Sequence, residues 1–328
     1  MGSRLRARAS RARLRAALAG GLLLLATACT GLPLRGAPAP EWLDRTGGAA
    51  VPDPPPRTVV LVSVDGLAPW VLAGTETPRL DALAAGGTSA ERAETVVPSR
   101  TLPSHTSMLS GLAPARHGVD WNDWRPGRRI EVPTVFSVCR RARLRCGLFA
   151  GKRKFAHFAV DEPGVEQYAY APRAEAVLGR ALAYLEARHP HFVMIHLAEV
   201  DAAGHWWRWG SGQQRAQIRR IDEDLGRFLD EAGERYDGRL SVIVTADHGG
   251  HGWRHGGAGE RDVRIPWIAW GDGVPAGGHL AFVRTVDTAP TILGLLGRVA
   301  PGGWLGASRF PFATDGGFVD VGAVGGGR

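Results

Sequence analysis

Cysteine is scarce in this chain, with 3 in 328 residues, and no Cys/His cluster has zinc-finger spacing. That excludes a disulfide-dense scaffold and a zinc-finger module. Acidic residues are absent from positions 1–28. Arg4, Arg6, Arg8, Arg11, Arg13 and Arg15 there supply six of the formal net charge of +8, which leaves 8 − 6 = +2 for the remainder. The basic balance therefore belongs to one terminal segment, and nucleic-acid binding is not expected. The apolar stretch Ala16–Ala26 falls short of the ~18 residues that cross a bilayer. No internal repeat is visible. What is abundant is apolar residue, at 44%, enough to bury the core of one large α/β domain or two small ones.

The first 29 residues have a recognisable order. An Arg-rich stretch precedes Ala16–Ala26, then come Ala26-Thr27-Ala28 and Cys29. Charged, apolar and small residues in that order read as a secretory signal. Cys29 in that place resembles the lipidated Cys of a bacterial lipoprotein, implying an exported chain anchored to the membrane at the cell envelope. Cleavage after Ala28 to a soluble product is the simpler alternative. Residues 1–28 are thus expected to be a signal peptide, 29–56 a Pro/Gly-rich linker, 57–312 the folded domain and 313–328 a Gly-rich tail. Cys139 and Cys146 remain, as a disulfide or as two buried free thiols.

The domain opens on Thr58–Val64, a continuous apolar and β-branched run suited to a strand buried on both faces. Similar runs are Cys146–Ala150, Phe192–Leu197, Leu240–Thr245 and Ile265–Trp270. Helical patterns lie at Pro78–Ala85, Ser104–Ser110, Thr134–Ala142, Arg173–Arg188, Gln213–Ala232 and Asp287–Leu296. Strands alternating with helices predict an α/β fold with a largely parallel central sheet flanked by helices. Polar residues follow three of these strands: Asp65; Asp201 with His205; and Asp247 with His248. In an open α/β sheet the crevice beyond the carboxyl ends of the strands is where ligands bind. His251 and His255 follow closely. Taken singly, an Asp-Gly after a strand is a turn and a His is a core or surface residue. Together these carboxylates and imidazoles are the ligand types of a Zn²⁺ or Mn²⁺ site, and paired metals clamp a transferring phosphoryl group.

Val59–Gly66, Pro98-Ser99-Arg100-Thr101-Leu102-Pro103-Ser104-His105, Arg116-His117-Gly118-Val119, Asp201-Ala202-Ala203-Gly204-His205 and Thr245-Ala246-Asp247-His248-Gly249 stand in one order. This pattern resembles the type I phosphodiesterase/nucleotide pyrophosphatase branch of the alkaline phosphatase superfamily, over about residues 58–297. The resemblance implies two divalent metals, Zn²⁺ or alternatively Mn²⁺. Asp65, Thr101, Asp247 and His248 match the ligands of one, and Asp201 and His205 match two ligands of the other. The third is expected to be a downstream His, with His255 preferred over His251. Thr101 would attack phosphorus and form a covalent phospho-threonine, while Asn122 would donate to a non-bridging oxygen. Thr101 also suits the N-cap of a helix over Leu102–Leu109, a place that itself favours phosphate. A sulfatase of the Cys-x-Pro-Ser-Arg type is excluded, because Val96 occupies the position that needs Cys or Ser.

The implied activity is hydrolysis of phosphodiesters or nucleotide pyrophosphates. Alternatives are a phosphomonoesterase, a head-group phosphotransferase and a non-catalytic surface lipoprotein. Lys152 and Lys154 bear on the first of these, since they read either as cations for the extra charge of a monoester or as a solvated basic turn. Trp121, Trp124, Trp206, Trp207, Trp209 and Trp253 cluster around the motifs, either as packing beneath the site or as an aromatic rim.

Overall fold

The computed structural model describes residues 56–160, 162–310, 312–314 and 317–319. The expected signal, Cys29 and all of the expected linker but Pro56 lie outside them. The described residues belong to one compact unit, Pro40–Arg328. Among them no helix is long and apolar enough to cross a membrane.

Among the described residues there are thirteen strands: β1 Thr58–Val64, β2 Thr88–Ala90, β3 Ala93–Glu94, β4 Cys146–Ala150, β5 Gln167–Tyr170, β6 Phe192–Leu197, β7 Leu240–Thr245, β8 Arg264–Ile265, β9 Trp267–Gly271, β10 Gly278–Leu280, β11 Val283–Arg284, β12 Phe312–Thr314 and β13 Gly317–Val319. Eight form the main sheet in the order β10-β2-β9-β7-β1-β6-β4-β5. β7, β1, β6, β4 and β5 run parallel as one block. β9 pairs antiparallel with both β7 and β2, so the sheet is mixed toward one edge. Pro266 divides the expected Ile265–Trp270 strand. β8 pairs with β3 in a small second sheet and β9 joins the main one, because proline has no N–H to give a ladder.

Every residue of β1, β4, β6 and β7 is buried. Each buried Val, Leu or Ile contributes about 1.5–3 kcal/mol relative to exposure, and this block is the core of the fold. Helices Pro78–Gly86, Ala174–Arg188 and Gly212–Tyr236 pack together, as do Thr101–Ser110, Val135–Arg141 and Thr288–Leu295. These layers flank the sheet. Cys139 and Cys146 are both buried free thiols. The stretch read as a Gly-rich tail begins inside an antiparallel hairpin, β12 with β13.

Candidate metal centre

Four neighbouring parallel strands deliver the site from their carboxyl ends. Asp65 follows β1, Asp247 and His248 follow β7, and Lys152 follows β4. β6 leads into a helix, Glu199–Trp207, where the sequence pattern shows only reactive residues after a strand. This helix places Asp201 and His205 one turn apart on one face. His205 Nε2 lies 3.3 Å and His255 Nε2 3.6 Å from Asp201 Oδ1.

Two groups of donor atoms can each surround a cation: Asp65, Asp247 and His248 form one, and Asp201, His248 and His255 the other. Within each group the donor atoms lie within 4.8 Å of one another. Asp65 Oδ1, Asp247 Oδ2, His248 Nε2 and Asp201 Oδ1 are buried and make no hydrogen bond, although His248 Nε2 lies 3.3 Å from both Asp65 Oδ1 and Asp247 Oδ2. An unsatisfied buried polar atom costs about 1–3 kcal/mol. A cation in each group would satisfy all four atoms, and mixed carboxylate and imidazole donors suit a divalent transition metal. The residues therefore fit two adjoining divalent ions.

His251 stands apart from both groups. Its Nδ1 lies 2.6 Å from Asp262 Oδ1. The other carboxylate oxygen of Asp262 accepts from Gly257 N at 2.9 Å, and the backbones of residues 249 and 262 are hydrogen-bonded. Asp262 and His251 thus brace the loop that carries His255. At the other side of that loop His255 Nδ1 lies 2.9 Å from the carbonyl oxygen of Ser99, and Ser99 Oγ donates to Gly257 O at 2.7 Å.

Lys152 and Lys154 are the only lysines in the chain. Lys152 Nζ lies 2.6 Å from Asp65 Oδ2 and 2.7 Å from Asp201 Oδ2, a cation bridging the two groups. Burial works against this charge, but Asp65 and Asp201 outweigh it and raise the lysine pKa. Lys154 is lowered, by burial and then by Lys152. The turn after β4 is part of the site and not a solvated basic loop. Burial acts against the ionised Asp65 as well, yet Lys152, His196 and His248 hold it well below the carboxylate range. Burial and then Asp65 push Asp247 up to about 6. His248 rises to about 9, because Asp247 and Asp65 overcome its burial.

Two further histidines were not singled out from sequence. His196, the one imidazole in the apolar strand β6, places Nε2 2.8 Å from Asp65 Oδ2. It lies against Phe155, ring centroids 4.1 Å apart. His105 spans Thr101 O at 2.7 Å and Ser63 Oγ at 2.8 Å. Burial lowers His105 to about 3 and His196 to about 4, so both are neutral braces. The visible signals were a polar residue inside an apolar run and an i+4 imidazole after Thr101.

Thr101 is buried and is the first residue of the Thr101–Ser110 helix, with Arg100 rather than Thr101 at the N-cap. Asn122 Oδ1 accepts from Leu102 N at 2.9 Å. That fixes the amide and leaves its NH₂ to donate elsewhere. The aromatic residues divide. Trp209 is buried, donates to Gly66 O at 3.0 Å, and sits edge-on to His205 at 5.1 Å. Trp121 is also buried, whereas Trp124, Trp206, Trp207 and Trp253 are exposed.

A mixed α/β sheet with two candidate cation groups beyond its carboxyl ends, and Thr101 opening a buried helix, is the architecture that the resemblance to the alkaline phosphatase superfamily implied. A family model of type I phosphodiesterase / nucleotide pyrophosphatase matches residues 59–142 and 149–255. The chain belongs to that family. A sulfatase model matches residues 213–298, a span that omits Val96 and Thr101. Human ectonucleotide pyrophosphatase/phosphodiesterase family member 7 is 24% identical over 216 residues, covering 58% of this chain and 47% of that protein. GPI ethanolamine phosphate transferase 1 of Yarrowia lipolytica is 39% identical over 83 residues, covering 24% of this chain and 9% of that one. The chain thus spans less than half the length of these curated relatives. Among solved structures, an inactive murine ectonucleotide pyrophosphatase / phosphodiesterase 5 in complex with AMP aligns with a TM-score of 0.67 at 15% identity, covering 75% of this chain and 96% of that one. At that identity the likeness bears on the fold.

Proposed function

We propose that this protein is a two-metal hydrolase of phosphoric esters that cleaves phosphodiesters or nucleotide pyrophosphates through a phospho-threonine at Thr101. The observation that carries this reading is the set of four partnerless buried donor atoms, divided between two adjoining groups. Asp65, Thr101, Asp247 and His248 would hold one ion, and Asp201, His205 and His255 the other. Zn²⁺ is the metal we assign, with Mn²⁺ as the alternative. Bound there, the metals supply Lewis-acid stabilisation of the phosphoryl oxygens and lower the pKa of the attacking hydroxyl. Thr101 supplies that hydroxyl from a helix N-terminus, whose dipole favours the anionic phosphoryl group. Asn122 donates its NH₂ to a non-bridging oxygen. His105 anchors the first helical turn through Thr101 O, and His196 orients Asp65.

Diester is preferred over monoester on the match to the phosphodiesterase family model. A monoester's extra charge would call on Lys152, once metal ions balance Asp65 and Asp201, or on Lys154. The likeness to proteins named GPI ethanolamine phosphate transferase supports a second reading, transfer of the phosphoryl head group to an alcohol acceptor. The segment through Cys29 supports export and lipid anchoring at the cell envelope.

The test is a rate comparison on bis-(nitrophenyl) phosphate and nitrophenyl phosphate with metal-loaded protein. A faster diester rate that disappears in Thr101→Ala supports the reading. No turnover of either ester by fully metallated protein overturns it, and product carrying an added alcohol identifies transfer.

A further inference from the structure

The tryptophans beside the metal centre are sorted by one short segment, Trp206-Trp207-Arg208-Trp209-Gly210. The Glu199–Trp207 helix ends at Arg208, which takes φ +77, a costly conformation for a residue with a side chain. The turn sends Trp209 inward, where it is 1% exposed. It fills space left by Gly204 and Gly250, since a Cβ at either would come within 2.7 Å or 2.2 Å of its ring. Trp206 and Trp207 stay outside at 77% and 51% exposure, and Trp253 is 61% exposed. The two segments are tied together at the site: Trp209 N donates to Gly252 O at 2.7 Å, and His205 Nδ1 lies 2.8 Å from Trp253 O. Three exposed indoles therefore stand on two segments that are joined beside the cation groups.

Packing explains Trp209 and leaves these three unexplained. A nucleobase clamp needs aromatic faces lying parallel on either side of the base. Trp206 and Trp207 are sequence neighbours with rings tilted by 41° and centroids 6.3 Å apart, which is not that geometry. Exposed indoles with cations among them match a different ligand. Trp partitions to the boundary between water and lipid headgroups, and arginine beside it pairs with anionic headgroups. Arg208 and Arg254 are exposed on the same two segments, and exposed Arg100 packs its side chain toward Gly256 on the loop of His255.

We propose that Trp206, Trp207 and Trp253, with Arg208 and Arg254, form a docking patch for an anionic phospholipid surface, which brings the mouth of the metal centre to the membrane interface. This deepens the proposed function by assigning the setting in which the phosphoric ester is met. The patch needs no metal and no turnover to bind.

The test is hydrogen exchange on the full chain, with and without vesicles of phosphatidylcholine and phosphatidylglycerol, followed at peptides covering 205–210 and 252–256. Vesicles are expected to protect both peptides. The triple variant Trp206→Ser, Trp207→Ser, Trp253→Ser should lose that protection and bind vesicles roughly tenfold or more weakly, with an unchanged melting curve showing that it folds. Arg208→Glu with Arg254→Glu should weaken binding to anionic vesicles more than to pure phosphatidylcholine. Equal protection in the parent and the triple variant, or none in either, overturns the proposal. So does protection of these peptides by AMP but not by vesicles, which would make the rim a nucleotide site. Because no arm measures hydrolysis, failure here is separable from failure of the enzymatic reading.

Discussion

The imidazole of His255 lies flat on that of His248, with ring centroids 3.6 Å apart and planes within 9°. The stack joins the two cation groups, because the His248 donor atom lies within reach of both. His255→Ala should therefore release the ion of the Asp201 group and leave the other more weakly held, while His248→Ala should release the ion of the Asp65 group and weaken the other. His251→Ala, which removes only a brace on Asp262, should keep both ions at lower affinity. Metal content by plasma mass spectrometry after dialysis distinguishes these outcomes.

Lys152 balances two buried carboxylates, and its side chain is only 22% exposed. Lys152→Met should destabilise chelator-treated protein by about 3 kcal/mol, the scale on which a buried charge loses its partner. Adding Zn²⁺ should recover most of that loss, since the ions then balance Asp65 and Asp201. Urea unfolding with chelator and with metal measures both. A variant equally destabilised in both conditions would place the role of Lys152 in packing.

Gly66 links the two groups through the backbone. It takes φ +74, and a Cβ there would lie 2.9 Å from Asp201 Cα. Its N–H also donates to Asp247 Oδ1 at 3.1 Å. Gly66→Ala should cost about 2–4 kcal/mol from strain and overpacking together. It should also lower affinity at the Asp201 group more than at the Asp65 group. Thermal unfolding and metal titration check the two parts.

Asp287, which belongs to neither cation group, offers a further pH dependence. It is buried, which alone would raise its pKa, but Arg309, Arg284 and the backbone N–H groups of residues 284 and 307 together hold it below the usual value. A depressed carboxylate stabilises the fold above its unfolded pKa of about 3.9 and loses that contribution as pH falls through the folded pKa. Asp287→Asn should thus be less stable by about 2 kcal/mol at neutral pH. Its deficit should shrink below pH ~4. Paired urea titrations from neutral to acid pH measure the difference, and a deficit independent of pH would contradict it.

How much was legible depends on which interactions each residue makes. β1, β4, β6 and β7 were readable to the residue, because strands buried on both faces must be continuous apolar runs. Thr88–Ala90 carries only small residues and Gln167–Tyr170 is only four residues long, so neither gives a run long enough to announce a strand. The helix Glu199–Trp207 was obscured by the reactive residues on it, which read as a strand end. Asp65, Asp201, Asp247 and His248 were legible because they follow those readable strands. His196 was not, because inside β6 only its partner Asp65, distant in sequence, distinguishes it from a filler. Lys152 reads equally as a substrate cation or a solvated charge in sequence, and only the packing of β4 beside β6 brings it between two carboxylates. His255 and His251 are separable only by the loop fold, which commits His251 to Asp262.

Thr101 is the group proposed to take the phosphoryl. The most direct measurement is mass spectrometry of peptides from metal-loaded protein quenched in acid during turnover of a phosphodiester. One added phosphoryl group is expected on Thr101, absent from Thr101→Ala, which should also show no turnover. Turnover by Thr101→Ala, or a phosphoryl group on any other residue, would contradict it.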